Sequence, residues 1–232
     1  SINIITDQSI KKGDAINTSF SVGSLGKFGS YVSGTKTNDN FSVKGNHNLI
    51  FSDGYRRNSA LYQNNGGLEL AYDNEYYNFY LNLKSHNQFQ ELPGDVGVNT
   101  GNFSNSNGFQ IDPRSSDTPE DFSQNNGHQL FYGASVDLNN SNTLIIDGSY
   151  KYNKSEGKFL SSSSDTDTRI SSYQISPRLL SDFKIFGQST DSIVGTDLNY
   201  AYYYSDRMST GKTWYKRNKA SDINFAPYFT SN

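Results

Sequence analysis

From His128 to Leu138 the side chains alternate in kind. Leu130, Tyr132, Ala134, Val136 and Leu138 share one phase, and Gln129, Gly133, Ser135 and Asp137 share the other, with Phe131 the exception. A period of 2 is the mark of a strand with one apolar face. The next run repeats it, with Leu144, Ile146, Gly148, Tyr150 and Tyr152 opposing Thr143, Asp147, Ser149, Lys151 and Asn153. Asn139-Asn140-Ser141-Asn142 lies between the two runs as a polar turn, so the pair reads as an antiparallel hairpin.

The same alternation recurs along the chain. Ile16, Thr18, Phe20 and Val22 share a phase, as do Phe41, Val43, Gly45, His47, Leu49 and Phe51. So do Leu68, Leu70 and Tyr72, then Tyr77, Phe79, Leu81 and Leu83, then Val194, Leu198, Tyr200, Tyr202 and Tyr204. The stretch 28–38 alternates weakly, 166–184 is irregular around Pro177, and 214–230 completes the set. About ten strands result, each near the ~9–11 residues that cross a bilayer at a tilt. No segment holds an i, i+3, i+4, i+7 stripe over three turns, and Asn, Ser, Gly and Tyr are poor helix formers. The connections alternate in length. Short turns at 37–40, 73–75, 139–142 and 186–191 separate longer loops at 52–61, 92–127, 157–165 and 207–213. Residues 24–27 form a short connection that falls in the outer set. Short turns at one end and long loops at the other describe an antiparallel up-and-down transmembrane β-barrel, here a partial one.

Composition sharpens this picture at two points. Mean hydropathy is -0.73 and only 33% of residues are hydrophobic, which read alone describes a soluble or partly disordered chain. A membrane strand, however, shows lipid only every second side chain, so a barrel scores as hydrophilic. The 17 Tyr and 15 Phe, placed in alternating runs, oppose disorder. No run approaches the ~18 apolar residues of a membrane helix. The net charge of -3 comes without a basic block, which argues against a nucleic-acid partner. Without cysteine there is neither a disulfide framework nor a thiolate metal site. The chain opens on Ser1-Ile2-Asn3-Ile4-Ile5-Thr6 with no export signal, so a barrel reading expects further sequence upstream.

Ile2-Asn3-Ile4-Ile5-Thr6, followed by a polar turn and an alternating strand, resembles the end of the plug domain of TonB-dependent outer-membrane transporters. Phe20-Ser21-Val22-Gly23-Ser24-Leu25-Gly26 is similar to that family's first barrel strand and outer turn. Asp53-Gly54-Tyr55-Arg56 is similar to its second outer loop, and Glu91-Leu92-Pro93-Gly94 is a fourth point of likeness. The resemblance implies the last plug strand at 1–8 and a partial outer-membrane barrel at 9–232, about ten of some 22 strands. It implies location in the bacterial outer membrane, lipid and lipopolysaccharide around the wall, and the TonB complex acting through the plug. It further implies active uptake of a ferric siderophore, haem or a cobalamin, with no catalysis and no resident cofactor. The plug's preceding Gly pair, the rest of the plug and the TonB box are not in this sequence, nor is the family's aromatic C-terminal strand. Two other classes remain open: a complete ten-stranded enzyme of the omptin or phospholipase kind, and a passive porin or adhesin.

Candidate site residues lie in the outer loops. Tyr55, Arg56, Arg57, Phe103, Phe109 and Arg114 are expected ligand contacts, because aromatic and Arg side chains anchor recognition and Arg grips anionic oxygens bidentately. Lipopolysaccharide contact or loop packing is the plainer reading of the same residues. The loop 92–127 concentrates Asp95, Asp112, Asp117, Glu120 and Asp121. Asp95, Asp112 and Asp117 are candidate Ca²⁺ ligands by their hard oxygens, but EF-hand and nonapeptide spacings are lacking and a solvated loop is favoured. His47 and His128 fall on the apolar phase and read as interfacial aromatics; His86, with Asp95 or Asp112, is the one acid–His candidate for an enzyme. The cluster Tyr200, Tyr202, Tyr203 and Tyr204 reads as an interfacial girdle. Leu130, Tyr132, Val136, Leu144, Ile146, Leu198 and Tyr200 are expected to face lipid. Asp137, Asp147, Lys151, Asp197 and Asn199 are expected to face the lumen.

Overall fold

The structure, a computed structural model, describes residues 13–94, 118, 120–159, 164–185, 188–209 and 215–231. Ten strands run in chain order: β1 (Ala15–Val22), β2 (Phe28–Asn38), β3 (Phe41–Ser52), β4 (Leu61–Asp73), β5 (Tyr77–Glu91), β6 (Phe122–Asn139), β7 (Asn142–Phe159), β8 (Ser164–Ile185), β9 (Gln188–Ser209) and β10 (Tyr215–Ser231). Each pairs antiparallel with the next, in one sheet whose edges are β1 and β10. The ladder is open, as expected of a partial barrel.

The meander sorts the connections by end. Residues 39–40, 74–76, 140–141 and 186–187 link strand ends on one side; 23–27, 53–60, 92–121, 160–163 and 210–214 link them on the other. Side chains close two of the tight turns. The Asn74 Oδ1 accepts the Tyr76 and Tyr77 amides at 2.9 Å each, and the Asn139 Oδ1 accepts the Ser141 amide at 2.9 Å.

Residues directly opposite across a ladder project to the same face, so register fixes both faces of the sheet. Leu83 opposes Leu68 and Leu130. Val136 opposes Leu144, and Leu144 opposes Leu179. Ile175 opposes Leu198, which opposes Phe225. One face is therefore apolar from β1 to β10. The other carries Asp147, Lys151, Asp197 and Asn199, together with Asp137 beside the 140–141 turn. Both sets match the faces expected from the alternation. Among the described residues no apolar side chain is buried in a protein core. Leu83 is 40% exposed and Ile175 39% exposed, although both lie on interior strands. A continuous apolar face with no second layer over it is the surface that hydrocarbon solvates. Tyr150, Tyr173 and Tyr200 stand in a row on that face, with ring centroids 4.7 and 6.1 Å apart.

Three expectations are corrected. β6 starts at Phe122, so the long loop ends at 121 rather than 127. Beyond the lipid neither face needs to be apolar, and the polar run Ser123–Gly127 continues the strand on ladder hydrogen bonds alone. β7 and β8 likewise extend to Phe159 and from Ser164, and β8 and β9 each reach 22 residues. β8 runs on through Pro177, which stays opposite Ile146 on β7, while its pairing with β9 skips Ser176 and Pro177 and resumes in the same register at Arg178, so the expected irregularity is confined to one side of the strand. Tyr203 leaves the girdle: it opposes Ile170 on the lumen face, whereas Tyr200 opposes Tyr173 on the apolar one.

Past the apolar band the outward face of β7 to β10 turns charged. Lys154 pairs with Glu156 at 2.6 Å and Arg169 with Asp167 at 2.6 Å. Arg217 grips Asp206 bidentately, at 2.8 and 2.9 Å, and the Tyr204 hydroxyl donates to the same carboxylate. The Arg217 guanidinium holds the Asp206 carboxyl well below the usual carboxylate range. Desolvation, with the Asp206 charge beside it, pushes the Tyr215 phenol up to about 12.

Candidate functional site

The outer-loop end is built from the base of 92–121 and the whole of 53–60. The chain leaves β3 at Ser52 and turns at Gly54, whose φ is +75°. An L side chain is strained in that region, and a Cβ there would also meet the Ser59 hydroxyl at 2.2 Å, so only glycine fits. Ser59 then closes the loop, accepting the Arg56 amide at 3.0 Å and donating to the Arg56 carbonyl at 2.6 Å. Asn58, at φ +56°, points its amide nitrogen at the carbonyls of Leu92, Thr118 and Asp121, at 2.9, 2.5 and 2.9 Å. Its N–H groups are shared among three acceptors, and they fasten one loop to both ends of the other. The Leu92 amide donates to Asp121 at 2.9 Å and the Glu91 amide to Ala60 at 2.9 Å, completing the joint.

The expected ligand contacts divide accordingly. Arg56 donates to the Gly94 carbonyl at 2.6 Å and to the Pro93 carbonyl at 3.3 Å, so its guanidinium braces the loop base. Arg57 is exposed and Tyr55 is 52% exposed on the same loop. Phe103, Phe109, Arg114, Asp95, Asp112 and Asp117 lie outside the described residues. Asn58, which ties the two loops together, was not among the sequence candidates; no pattern in the chain marks an Asn with φ above zero.

Beneath the loops the lumen face of β4 to β7 is rich in amides. Gln63 bonds Gln88 at 3.0 Å, and the His86 Nε2 lies 3.2 Å from the Asn153 Oδ1. The His86 ring fills the space over Gly127, where a Cβ would come within 2.2 Å of the ring. His86 thus meets an amide; its expected acid partners, Asp95 and Asp112, lie outside the described residues. His47 bonds Asn64 at 2.8 Å and His128 stacks on Tyr152 at 6.5 Å, both on the apolar face as expected. Nearer the turns, Asp147 accepts from the Tyr80 hydroxyl at 3.0 Å and pairs with Arg178 at 2.7 Å.

An up-and-down antiparallel wall with a lipid-solvated outer face, a polar inner face, tight turns at one end and loops at the other is the fold of an outer-membrane β-barrel. No protein-family profile and no curated protein matches the chain. Solved structures do. The ferric citrate transporter FecA in its unliganded form superposes with a TM-score of 0.66 at 16% identity, over 92% of this chain and 34% of that one. The ferripyoverdine receptor of the outer membrane of Pseudomonas aeruginosa gives 0.69 at 11% identity, over 97% and 35%. The ferric-catecholate import receptor Fiu of E. coli K12 gives 0.65 at 14% identity, over 95% and 42%. This chain has the barrel fold of these three proteins and spans between 34% and 42% of their length.

Proposed function

We propose that this wall is part of a TonB-dependent receptor of the bacterial outer membrane that takes up a ferric chelate. The observation that carries the reading is the superposition of the ten-stranded meander, over 92% and 95% of this chain, on a ferric citrate transporter and a ferric-catecholate import receptor. In this reading residues 1–8 would be the last plug strand and 9–232 part of the barrel. The outer loops receive the ligand, with Tyr55 and Arg57 exposed to it and Arg56 holding their loop in place. Phe103, Phe109 and Arg114 would contribute from the longer loop, and Asp95, Asp112 and Asp117 would be its candidate Ca²⁺ ligands. The charged belt beyond the apolar band would meet the headgroup layer of lipopolysaccharide. No bond of the ligand is made or broken; the wall guides, and TonB supplies the energy through the plug.

The test is import of ⁵⁵Fe by cells that carry the full-length gene as their sole receptor, with and without TonB. Energy-dependent uptake that vanishes without TonB supports the proposal. Uptake that persists without TonB indicates a passive pore, and hydrolysis of a lipid or peptide at the rim indicates an enzyme; either result overturns it.

A further inference from the structure

Successive rows on the outward face of β7 to β10 change chemistry in a fixed order. Tyr150, Tyr173, Tyr200 and Ile223 stand opposite one another across the four strands, in the apolar band. The next row toward the outer loops is Tyr152, Ser171, Tyr202 and Ser221, with a hydroxyl on every strand. The third is Lys154, Arg169, Tyr204 and Lys219. Rows lie two residues apart, so the cations stand about 13 Å along the strands from the first row. The fourth row brings the carboxylates of Glu156, Asp167 and Asp206, with Arg217. Positive charge therefore lies nearest the hydrocarbon and negative charge beyond it. The cation row continues over β6, β5 and β4 as Asn126, Asn87 and Asn64, without charge, so the cations are local to β7–β10.

Arg169 and Lys219 flank Tyr204 from the strands on either side of it. The Arg169 Cζ lies 5.5 Å and the Lys219 Nζ 5.8 Å from the centre of its ring. Both residues are exposed, and their backbones are two strand spacings, about 10 Å, apart. Lys154 and Arg169 are each braced by a carboxylate at 2.6 Å, whereas Lys219 makes no ion pair among the described residues. On the hydrocarbon side a hollow of about 580 Å³ opens in the apolar face, walled by Tyr132, Tyr150, Tyr173, Leu198, Tyr200 and Ile223. An apolar hollow, then hydroxyls, then cations is the order of groups that an anionic lipid presents when laid along the wall: acyl chain, hydroxylated backbone, phosphate.

We infer that β7 to β10 seat one bisphosphorylated glycolipid of the outer leaflet, the lipid A part of lipopolysaccharide. Its acyl chains enter the hollow and its sugars meet the Ser and Tyr hydroxyls. One phosphate is received by Lys154 with Arg169 and the other by Lys219, through charge-assisted hydrogen bonds. Cations on both sides of Tyr204 fit two phosphates; a phospholipid with one phosphate fills one side. The inference rests on the outer-membrane placement in the uptake reading and is independent of the cargo. It turns general contact with the headgroup layer into a defined seat.

The experiment titrates the full-length receptor, freed of cell lipid in detergent, with rough lipopolysaccharide, monophosphoryl lipid A and phosphatidylglycerol, and counts bound lipid by native mass spectrometry. The expected result is one lipopolysaccharide, bound more tightly than the other two lipids. Arg169→Gln with Lys219→Gln should weaken it roughly tenfold, two exposed charge pairs being lost. Lys219→Gln alone, which leaves the ion pairs of Lys154, Arg169 and Arg217 in place, should weaken it roughly threefold. Arg169→Lys with Lys219→Arg should hold the original affinity. Arg207→Gln with Lys216→Gln, the same change of charge on the lumen face of β9 and β10, should leave it unchanged. Heat-modifiable migration of each variant checks that its barrel is folded. Unchanged affinity in the Arg169 and Lys219 variants, an equal loss in the lumen variant, or phosphatidylglycerol bound as tightly as lipopolysaccharide overturns the inference. Import of ⁵⁵Fe by the same receptor is scored separately; import that is absent or independent of TonB overturns the uptake reading and leaves the lipid seat standing.

Discussion

Replacing Asn58 by aspartate exchanges one amide nitrogen for an oxygen and keeps the shape of the side chain. Both residues tolerate the φ of +56° found there. What changes is the sign of the atom facing the Leu92, Thr118 and Asp121 carbonyls at 2.5 to 2.9 Å. Asn58→Gly serves as the reference, because it relaxes the backbone and only removes the donors. Losing two amide N–H groups that satisfy part-buried carbonyls costs about 2 kcal/mol. At about 1.4 kcal/mol per decade, that opens the joint roughly 30-fold more often. Aspartate loses the same donors and adds a charged acceptor against three carbonyl oxygens, so its cost is on the order of 3 kcal/mol or more, over about 100-fold. Hydrogen–deuterium exchange of the receptor in micelles reads this at the Glu91 and Leu92 amides, whose acceptors are Ala60 and Asp121. Exchange there should quicken in the order wild type, Gly, Asp, while amides in the β6–β7 ladder stay unchanged. Aspartate behaving like wild type, or glycine exceeding it, would refute the donor argument.

Leu198→Arg places a charge on the lipid face and should lower barrel stability by about 2–4 kcal/mol, whereas Asn199→Arg, one residue along and facing the lumen, should change it by less than about 0.5 kcal/mol; urea titration in liposomes separates them. Asp147→Asn keeps an acceptor for Tyr80 but removes the charge that pairs with Arg178, an exposed enough pair that the loss should be about 1 kcal/mol. Asp147→Leu, which strands the Tyr80 hydroxyl as well, should cost about twice that on the same assay. The Asp206 carboxyl is held low by Arg217, so its contribution is fully present above the ordinary Asp value and is lost only as pH falls through its lowered one. Carboxyl NMR should accordingly show Asp206 ionised throughout the mildly acidic range, and Arg217→Gln should return its titration toward ordinary values.

The alternation of Leu130 to Val136 and Leu144 to Tyr152 made the strands, their faces and their hairpin legible, because lipid imposes a strict period of 2 where it touches the wall. The same rule explains what was missed. Ser123 to Gly127 and Lys154 to Phe159 lie beyond the lipid, where ladder bonds hold the backbone and no face has to be apolar, so strand and loop read alike. Phe131 was visible as an exception to its phase. Its explanation needs the register that brings Lys84 and Lys151 beside it from two other strands. The loop residues were legible by type alone: Arg56 was recognisable as a group that binds oxygens, but which oxygens it binds depends on Pro93 and Gly94 lying next to it.

The central claim is that one face of this sheet meets hydrocarbon and the other the lumen. The chain contains no cysteine, so a single Cys substitution from 193 to 202 on β9 introduces the only thiol of this stretch, and any cysteine elsewhere in the receptor is first replaced by serine. Spin labels at those positions in the bilayer-reconstituted receptor report collisions with oxygen, which partitions into lipid, and with a water-soluble nickel chelate. The account predicts a period of 2: oxygen contact high for Val194→Cys, Leu198→Cys and Tyr200→Cys, and lower for Asp197→Cys, Asn199→Cys and Ala201→Cys, with nickel contact in the opposite phase where the lumen admits it. Oxygen contact that is flat along the strand, or highest at Asp197 and Asn199, would contradict it.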